Sequence, residues 1–297
     1  MHTKKYVYYV FVVSEDRFYM DTRFIQTLLS VVDTGSFAGA ARTGNMTPAA
    51  VSQRIRSLEA ELGLTLIVRA GQQVAPTSEC LSILARMRHI TSEVRLIAMD
   101  LDTTGLGGPI RLGAISTALS DRVPNVLAQF SQRVPQANLN IIPGTSMDLY
   151  SKLIKEEIDA AYLIRPPFKI PKAMEFSPIE IQPFVLIVQV GDERSLEKII
   201  STEKALIYDL KSWGGRLVLP WIRKRVLPEQ ILCELDALEA IVAAVGQGIG
   251  FSIVPDWHGL AKLKSVKRIP LPEIEDQREM ILLHRRLNPA SVKLLQS

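Results

Sequence analysis

The 297-residue chain reads as α/β overall: an N-terminal winged helix-turn-helix (all-α with a small wing), a linker helix, and a C-terminal two-lobed α/β domain. Three observations predict this. Residues 36–58, SFAGAARTGNMTPAAVSQRIRSL, hold two short apolar-periodic segments joined by Gly44-Asn45. Residues 78–101 contain no Pro or Gly and carry a heptad seam. From residue 110, strand-like and helix-like patterns alternate, as in α/β domains.

The head comes first. Residues 22–34 form an amphipathic helix with Phe24, Ile25, Leu28, Leu29, Val31 and Val32 apolar, and Gly35 supplies its stop. Ser36 N-caps a second helix; Thr47 N-caps a third, with Pro48 at the first helical position, where its missing N–H costs nothing. Gly44-Asn45 tolerates the bend between them. Met46, Val51, Ile55 and Leu58 form the buried stripe of the third helix. Ala49, Ser52, Gln53 and Arg56 are left outward or sideways. A helix of this kind, entered after a short turn, suits the DNA major groove. Ser36, Thr47, Pro48, Ala49, Ser52, Gln53, Arg54, Arg56 and Arg69 are the candidate DNA contacts. The alternative is a small helical hairpin with a solvated polar face. Gly63 ends the third helix, Leu66-Ile67-Val68 reads as a strand and Arg69–Gln73 as a turn, which makes a wing. Arg69 is either a phosphate contact or a solvated charge at its base.

Charge supports placement rather than bulk attraction. The net charge is +4 overall. Within residues 20–100, eight arginines and no lysine face seven carboxylates, a net of +1. Cys80 and Cys233 lie too far apart in sequence for a disulfide framework or zinc spacing, so a reduced cytoplasm is the simplest compartment. No segment approaches a transmembrane helix. Residues 1–19 pair Lys4-Lys5 with a short apolar run holding three tyrosines, Tyr6 to Val13, and no cleavage site follows. They are expected to be an upstream extension, with Met20 as the biological start.

The linker helix, 78–102, is capped by Thr77 and has Glu79 in its first turn. Ile83, Met87, Ile90, Val94, Ile97 and Leu101 step by four, three, four, three, four, the seam of a coiled-coil dimer. The alternative is a helix packed on its own domain. At about 1.5 Å per residue it spans roughly 36 Å. Residues 103–108 read as a hinge.

In the α/β region, strands are expected at 110–115, 138–142, 160–164, 184–190, 205–208, 231–235, 250–254 and 279–284, in parallel sheets. Helices are expected near 121–133, 147–157, 195–201, 213–224 and 237–245. Arg165-Pro166-Pro167 breaks the pattern between two lobes. Lobe I is expected at 109–164 and 268–297, lobe II at 165–267. Ser116-Thr117 and Thr145-Ser146 follow the first two strands, where hydroxyls and helix-start N–H groups either bind an anion or simply cap a helix. Ile164, Arg165 and Asp236 are further cleft candidates, Arg165 being equally suited to a hinge salt bridge. Gly246–Gly250 follows a helix and precedes a strand, the reverse of a dinucleotide loop, and reads as structural.

Residues 20–77 resemble the DNA-binding domain of LysR-type transcriptional regulators. The resemblance is carried by Met20-Asp21, Phe24, Gly35-Ser36-Phe37, Ala40-Ala41, Thr47, Val51-Ser52, Ile55, Leu58-Glu59, Leu62-Gly63, Leu66, Arg69 and Thr77. Gly44 stands where the family usually has leucine, and the wing AGQQVAPT lacks basic residues. The resemblance extends to the C-terminal region and implies a periplasmic-binding-protein-like effector domain. There the hydroxyl pairs contact a small-molecule effector, and the linker helix dimerises. The implied partners are double-stranded DNA with a pseudo-palindromic site, RNA polymerase and a second copy of the chain as homodimer or homotetramer. No cofactor, metal or membrane partner is implied.

Two other classes fit less well. An enzyme would need a reactive constellation, but His2, His89, His258 and His284 are scattered and no GxSxG, P-loop or CxxC is present. A solute-binding protein would need export, and the DNA-binding head argues against it.

Overall fold

The computed structural model describes residues 20–70, 73–100, 109–135, 138–285 and 287–296. The expected extension at 1–19, the hinge at 103–108 and Leu101 lie outside them. The chain divides into two compact units, the first ending at Ile97 and the second beginning at Ala98.

In the first unit, α1 (Thr22–Thr34), α2 (Phe37–Thr43) and α3 (Pro48–Leu62) follow the expected bounds. The Ser36 hydroxyl accepts from the Gly39 N–H at 3.2 Å, and Thr47 from Ala50 N–H at 3.1 Å. The bend between α2 and α3 is carried by Asn45 at φ 48°, while Gly44 stays at φ −92°. A short Asx side chain tolerates that left-handed geometry. Two strands, β1 (Ile67–Ala70) and β2 (Gln73–Pro76), pair antiparallel. Arg69 and Ala70 therefore lie in a strand, not the turn expected from sequence. The Glu59 carboxylate accepts from Leu66 N–H at 2.7 Å and Ile67 N–H at 3.2 Å, which fixes where the wing begins. Helix α4 (Ser78–Asp100) starts at Thr77, whose hydroxyl accepts from Cys80 N–H at 3.1 Å.

The second unit holds two five-stranded sheets. The first contains β3 (Ile110–Ala114), β4 (Leu139–Pro143), β5 (Ala160–Ile164), β6 (Glu175–Gln182) and, from the far end of the chain, a strand at Arg278–His284. The second contains β7 (Phe184–Gln189), β8 (Ala205–Tyr208), β9 (Ile231–Leu235), β10 (Phe251–Pro255) and β11 (Val266–Pro270); the returning strand is thus β12. Helices α5 (Ser116–Asp121), α6 (Val123–Arg133), α7 (Ser146–Ile154), α8 (Leu196–Thr202), α9 (Leu219–Arg225), α10 (Leu238–Gly246) and α11 (Pro289–Leu295) complete it.

The sheets are mixed, not parallel as expected. In order β4-β3-β5-β12-β6, the first three strands run parallel and the last two pair antiparallel. In order β11-β7-β10-β8-β9, both pairs made by β7 are antiparallel and the pairs β10-β8 and β8-β9 are parallel. The antiparallel strands are those that flank the two passages between lobes. The lobe boundary also moves. The Arg165-Pro166-Pro167 break leads to β6, still in lobe I, and the chain crosses at Pro183, between Gln182 and Phe184. It returns between Pro270 and Arg278. Strand β6 is not announced by the sequence because Pro178 interrupts its pattern, which an edge strand accommodates. The helix expected near 121–133 is α6, with Pro124 in its first turn, and the short α5 before it is not expected from sequence. The helix expected at 213–224 is a 3-10 turn at Gly215–Val218 followed by α9. Gly250 sits at φ +125°, and a Cβ there would come within 2.1 Å of the Lys204 carbonyl, so the glycine turn before β10 is a packing requirement.

Candidate DNA-binding face and ligand cleft

Packing on the head decides which α3 residues face solvent. Val51, Ile55 and Leu58 are fully buried against Ile25, Leu28 and Val31 of α1 and Ala40-Ala41 of α2. Thr47, Pro48, Ala49, Gln53 and Arg56 are exposed, and Ser36 and Ser52 half-buried. Arg54 turns inward: it is half-buried and its Nη1 donates to the Thr27 hydroxyl at 3.2 Å. Its first task is holding α3 to α1. Arg69 is exposed on β1. Gly44 does not leave a hole. The Met46 methyl fills the space, 2.7 Å from where a Gly44 Cβ would stand.

The seam of α4 divides. Met87 is 3% exposed and sits in the head core, with Ile83 and Ile90 packed against it. This is the own-domain packing that the heptad pattern left open. Val94 is half-buried and Ile97 is 55% exposed. Arg88, which the seam does not include, is buried and paired with Asp33 of α1. Burial of Cys80 in the same core raises its thiol pKa, which makes it a packing residue and not a reactive one.

In the second unit a cavity of about 350 Å³ opens between the lobes, lined by residues from both. Of the sequence candidates, Ser116, Thr145, Ser146 and Asp236 line it. The Thr145 hydroxyl is occupied as a cap: it accepts from Asp148 N–H at 3.2 Å and donates to the Asp148 carboxylate at 2.8 Å. The buried Ser146 hydroxyl accepts from Ile164 N–H at 3.0 Å. Three candidates fall outside the lining. Thr117 is buried behind it, Ile164 belongs to the core of lobe I, and Arg165 is exposed and paired with Glu279 at 2.9 Å. Because the chain crosses at Pro183, this pair is a salt bridge within lobe I, between the end of β5 and β12, and not across a hinge.

Sequence reasoning missed the residue at the back of the cleft. Arg278, the first residue of β12, is 2% exposed and lines the cavity. Its Nη1 donates to Oε1 of Gln182 at 2.8 Å and its Nη2 to the Thr117 hydroxyl at 3.4 Å. No carboxylate among the described residues pairs with it, and its buried Nε has no partner. The guanidinium carbon lies 5.8 Å from the centre of the Tyr208 ring. Gly214 admits it: a Cβ there would stand 3.1 Å from Nε and 2.7 Å from the Tyr208 hydroxyl. Asp148, Asp209 and Asp236 line the same cavity. Desolvation by the cleft wall raises the Asp236 pKa, the Asp209 and Asp148 charges add to this, and Arg278 opposes it. Trp213 closes one side, its ring edge-on to Tyr150 at 5.7 Å and Phe168 at 5.6 Å.

Among the described residues no cluster of His, Cys, Asp and Glu could hold a metal ion, and no helix is long and apolar enough to cross a membrane.

Comparison with known proteins gives both parts a relative. Residues 22–81 match the family description "Bacterial regulatory helix-turn-helix protein, lysR family", and residues 103–296 match "LysR substrate binding domain". The HTH-type transcriptional regulator CzcR of Bacillus cereus is 26% identical over 272 residues, covering 90% of this chain and 92% of that one. The HTH-type transcriptional activator IlvY of Salmonella typhimurium is 26% identical over 245 residues, covering 80% and 83%. Among solved structures, a full-length OxyR variant from Pseudomonas aeruginosa superposes with a TM-score of 0.71 at 20% identity, covering 93% of each chain. Full-length CbnR in complex with its target DNA gives 0.59 at 18% identity, covering 93% and 97%. With its helix-turn-helix head and two-lobed ligand domain both matched, the chain belongs to the LysR family of bacterial transcriptional regulators.

Proposed function

We propose that this regulator acts in the cytoplasm as a homodimer or homotetramer that seats pairs of α3 helices in the major grooves of a pseudo-palindromic site. The observation that carries the reading is the split of α3: one face is sealed into the head, and Pro48, Ala49, Gln53 and Arg56 are exposed along its N-terminal two-thirds. That is the geometry by which a recognition helix reads base edges and phosphates. The solved complex of CbnR with its target DNA, a protein of this fold, supports it. The distal seam of α4 joins two copies, with Ile97 as its exposed apolar contact. An effector carrying a carboxylate or similar anion binds between the lobes on Arg278 and shifts their relative position, which changes head spacing and contact with RNA polymerase. The chain uses no cofactor and is not an enzyme, a reading supported by relatives that are named regulators.

The test is fluorescence anisotropy of the full chain on genomic fragments flanking its gene, across a salt series. Log affinity falling steeply and linearly with log salt, with a higher affinity for one fragment, is the expected result. Equal, salt-insensitive binding to every fragment would overturn the assignment.

A further inference from the structure

We infer that the cleft selects a zwitterion, a free amino acid or close relative, seating its carboxylate on Arg278 and its ammonium on Asp236. This rests on the reading of the cleft as the effector site and narrows it. Two observations point to opposite charges on one ligand. Arg278 is a buried cation with an unpartnered Nε and no carboxylate of its own among the described residues. Against this single cation, Asp148, Asp209 and Asp236 line the same cavity, a formal lining charge of −2.

A ligand bearing only a carboxylate would satisfy Arg278 and add a fourth negative charge to the cavity. A simple amine would relieve the carboxylates and leave the Arg278 Nε orphaned, with the penalty of any buried donor without a partner. A zwitterion answers both.

The three aspartates are not equivalent. Asp148 accepts from the Thr145 hydroxyl at 2.8 Å and Asp209 from Lys211 N–H at 2.9 Å. No hydrogen bond among the described residues reaches the exposed Asp236 carboxylate, so it is the one of the three with both oxygens open to an ammonium. Crowding by the cleft wall and by Asp209 raises its pKa, a strain that a bound cation removes. Arg278 belongs to lobe I and Asp236 to lobe II, so an amino acid would be held from both sides. The remaining wall, with Leu119, Met147, Trp213 and Leu238, suits an uncharged side chain.

The test is calorimetry on the full-length protein with proteinogenic L-amino acids of uncharged side chain. Each is compared with its deaminated acid and decarboxylated amine; for leucine these are 4-methylpentanoate and isopentylamine. The expected result is that at least one amino acid binds and both truncated partners bind about tenfold or more weakly, the loss of a charge-assisted hydrogen bond. Asp236→Asn should reduce that amino acid to the affinity of its deaminated acid, and Arg278→Lys should weaken it toward the amine. A matched acid binding as tightly as its amino acid would overturn the zwitterion while leaving an anionic effector on Arg278 intact. Amines binding as tightly, unaffected by Arg278→Lys, would overturn both readings. Absence of binding by every amino acid would overturn the ligand class alone, because the DNA titration tests the regulator independently.

Discussion

The Arg54 guanidinium donates from Nη1 to the Thr27 hydroxyl, 3.2 Å away on α1. Arg56, two residues on, is exposed. Neighbouring arginines on one helix thus have different work. Arg56→Ala should weaken DNA binding across sequences and lower the salt slope by about 1, the signature of a lost phosphate contact. Arg54→Ala should instead cost about 1 kcal/mol of stability in denaturant titration and leave the slope near the wild-type value. A slope lowered equally by both substitutions would place Arg54 on the DNA.

The divided seam of α4 predicts a second contrast. Met87 is 3% exposed inside the head core, and its truncation to alanine should destabilise the protein by about 2–5 kcal/mol. Ile97 is 55% exposed. Ile97→Glu should change thermal stability of the head by no more than about 0.5 kcal/mol while shifting sedimentation toward monomer. An unchanged sedimentation profile would remove Ile97 from the subunit contact.

Asp236 sets a pH dependence. Its pKa is raised in the folded protein, by desolvation first and then by Asp209 and Asp148, with Arg278 opposing. The native state therefore holds this proton more tightly than the unfolded chain. The ionised carboxylate destabilises the fold as pH rises above the unfolded value of 3.8 and through the folded one. Without ligand, Asp236→Asn should raise the melting temperature at neutral pH, and the gain should vanish when the pH falls below 3.8. A gain that is constant with pH would mean that the charge is not its source.

Gly44 and Met46 should be energetically coupled. A Cβ on residue 44 would stand 2.7 Å from the Met46 methyl and 3.3 Å from the Ala40 carbonyl oxygen. Gly44→Ala should cost stability in the wild-type background and less with Met46→Ala, a coupling of about 1 kcal/mol in a double-mutant cycle. Strict additivity would show that the methyl is not filling that space.

What can be read in advance follows from how local each signal is. Ser36, Thr47 and Thr77 cap their helices by bonds spanning three residues, so their roles are written beside them in the chain. The apolar run of β5 announces a central strand because all five of its residues are buried. Strand β6 is hidden because it alternates poorly and carries Pro178, and its place depends on pairing with β12, about a hundred residues later. Arg278 is hidden for the same reason. An arginine before an apolar strand looks like an ordinary boundary charge. Only its register opposite Gln182, together with the space over Gly214, buries it. Thr145 is a case where position leaves two roles open, ligand contact or helix cap: the residue lines the cavity, and its hydroxyl caps α7 and bonds Asp148.

The register between Gln182 and Arg278 has a mechanical consequence. These residues stand at the two points where the chain leaves and re-enters lobe I, and the 2.8 Å bond between their side chains clasps the two spans. Two adjacent spans act as a paired pivot: they resist twisting and shearing and leave rocking as the soft motion. A ligand seated on Arg278, as proposed above, would push near the fulcrum, on the short arm of a lever. Displacements of a fraction of an ångström there would become larger excursions at the far rims of the lobes, turning a small chemical grip into travel that a distant surface can register.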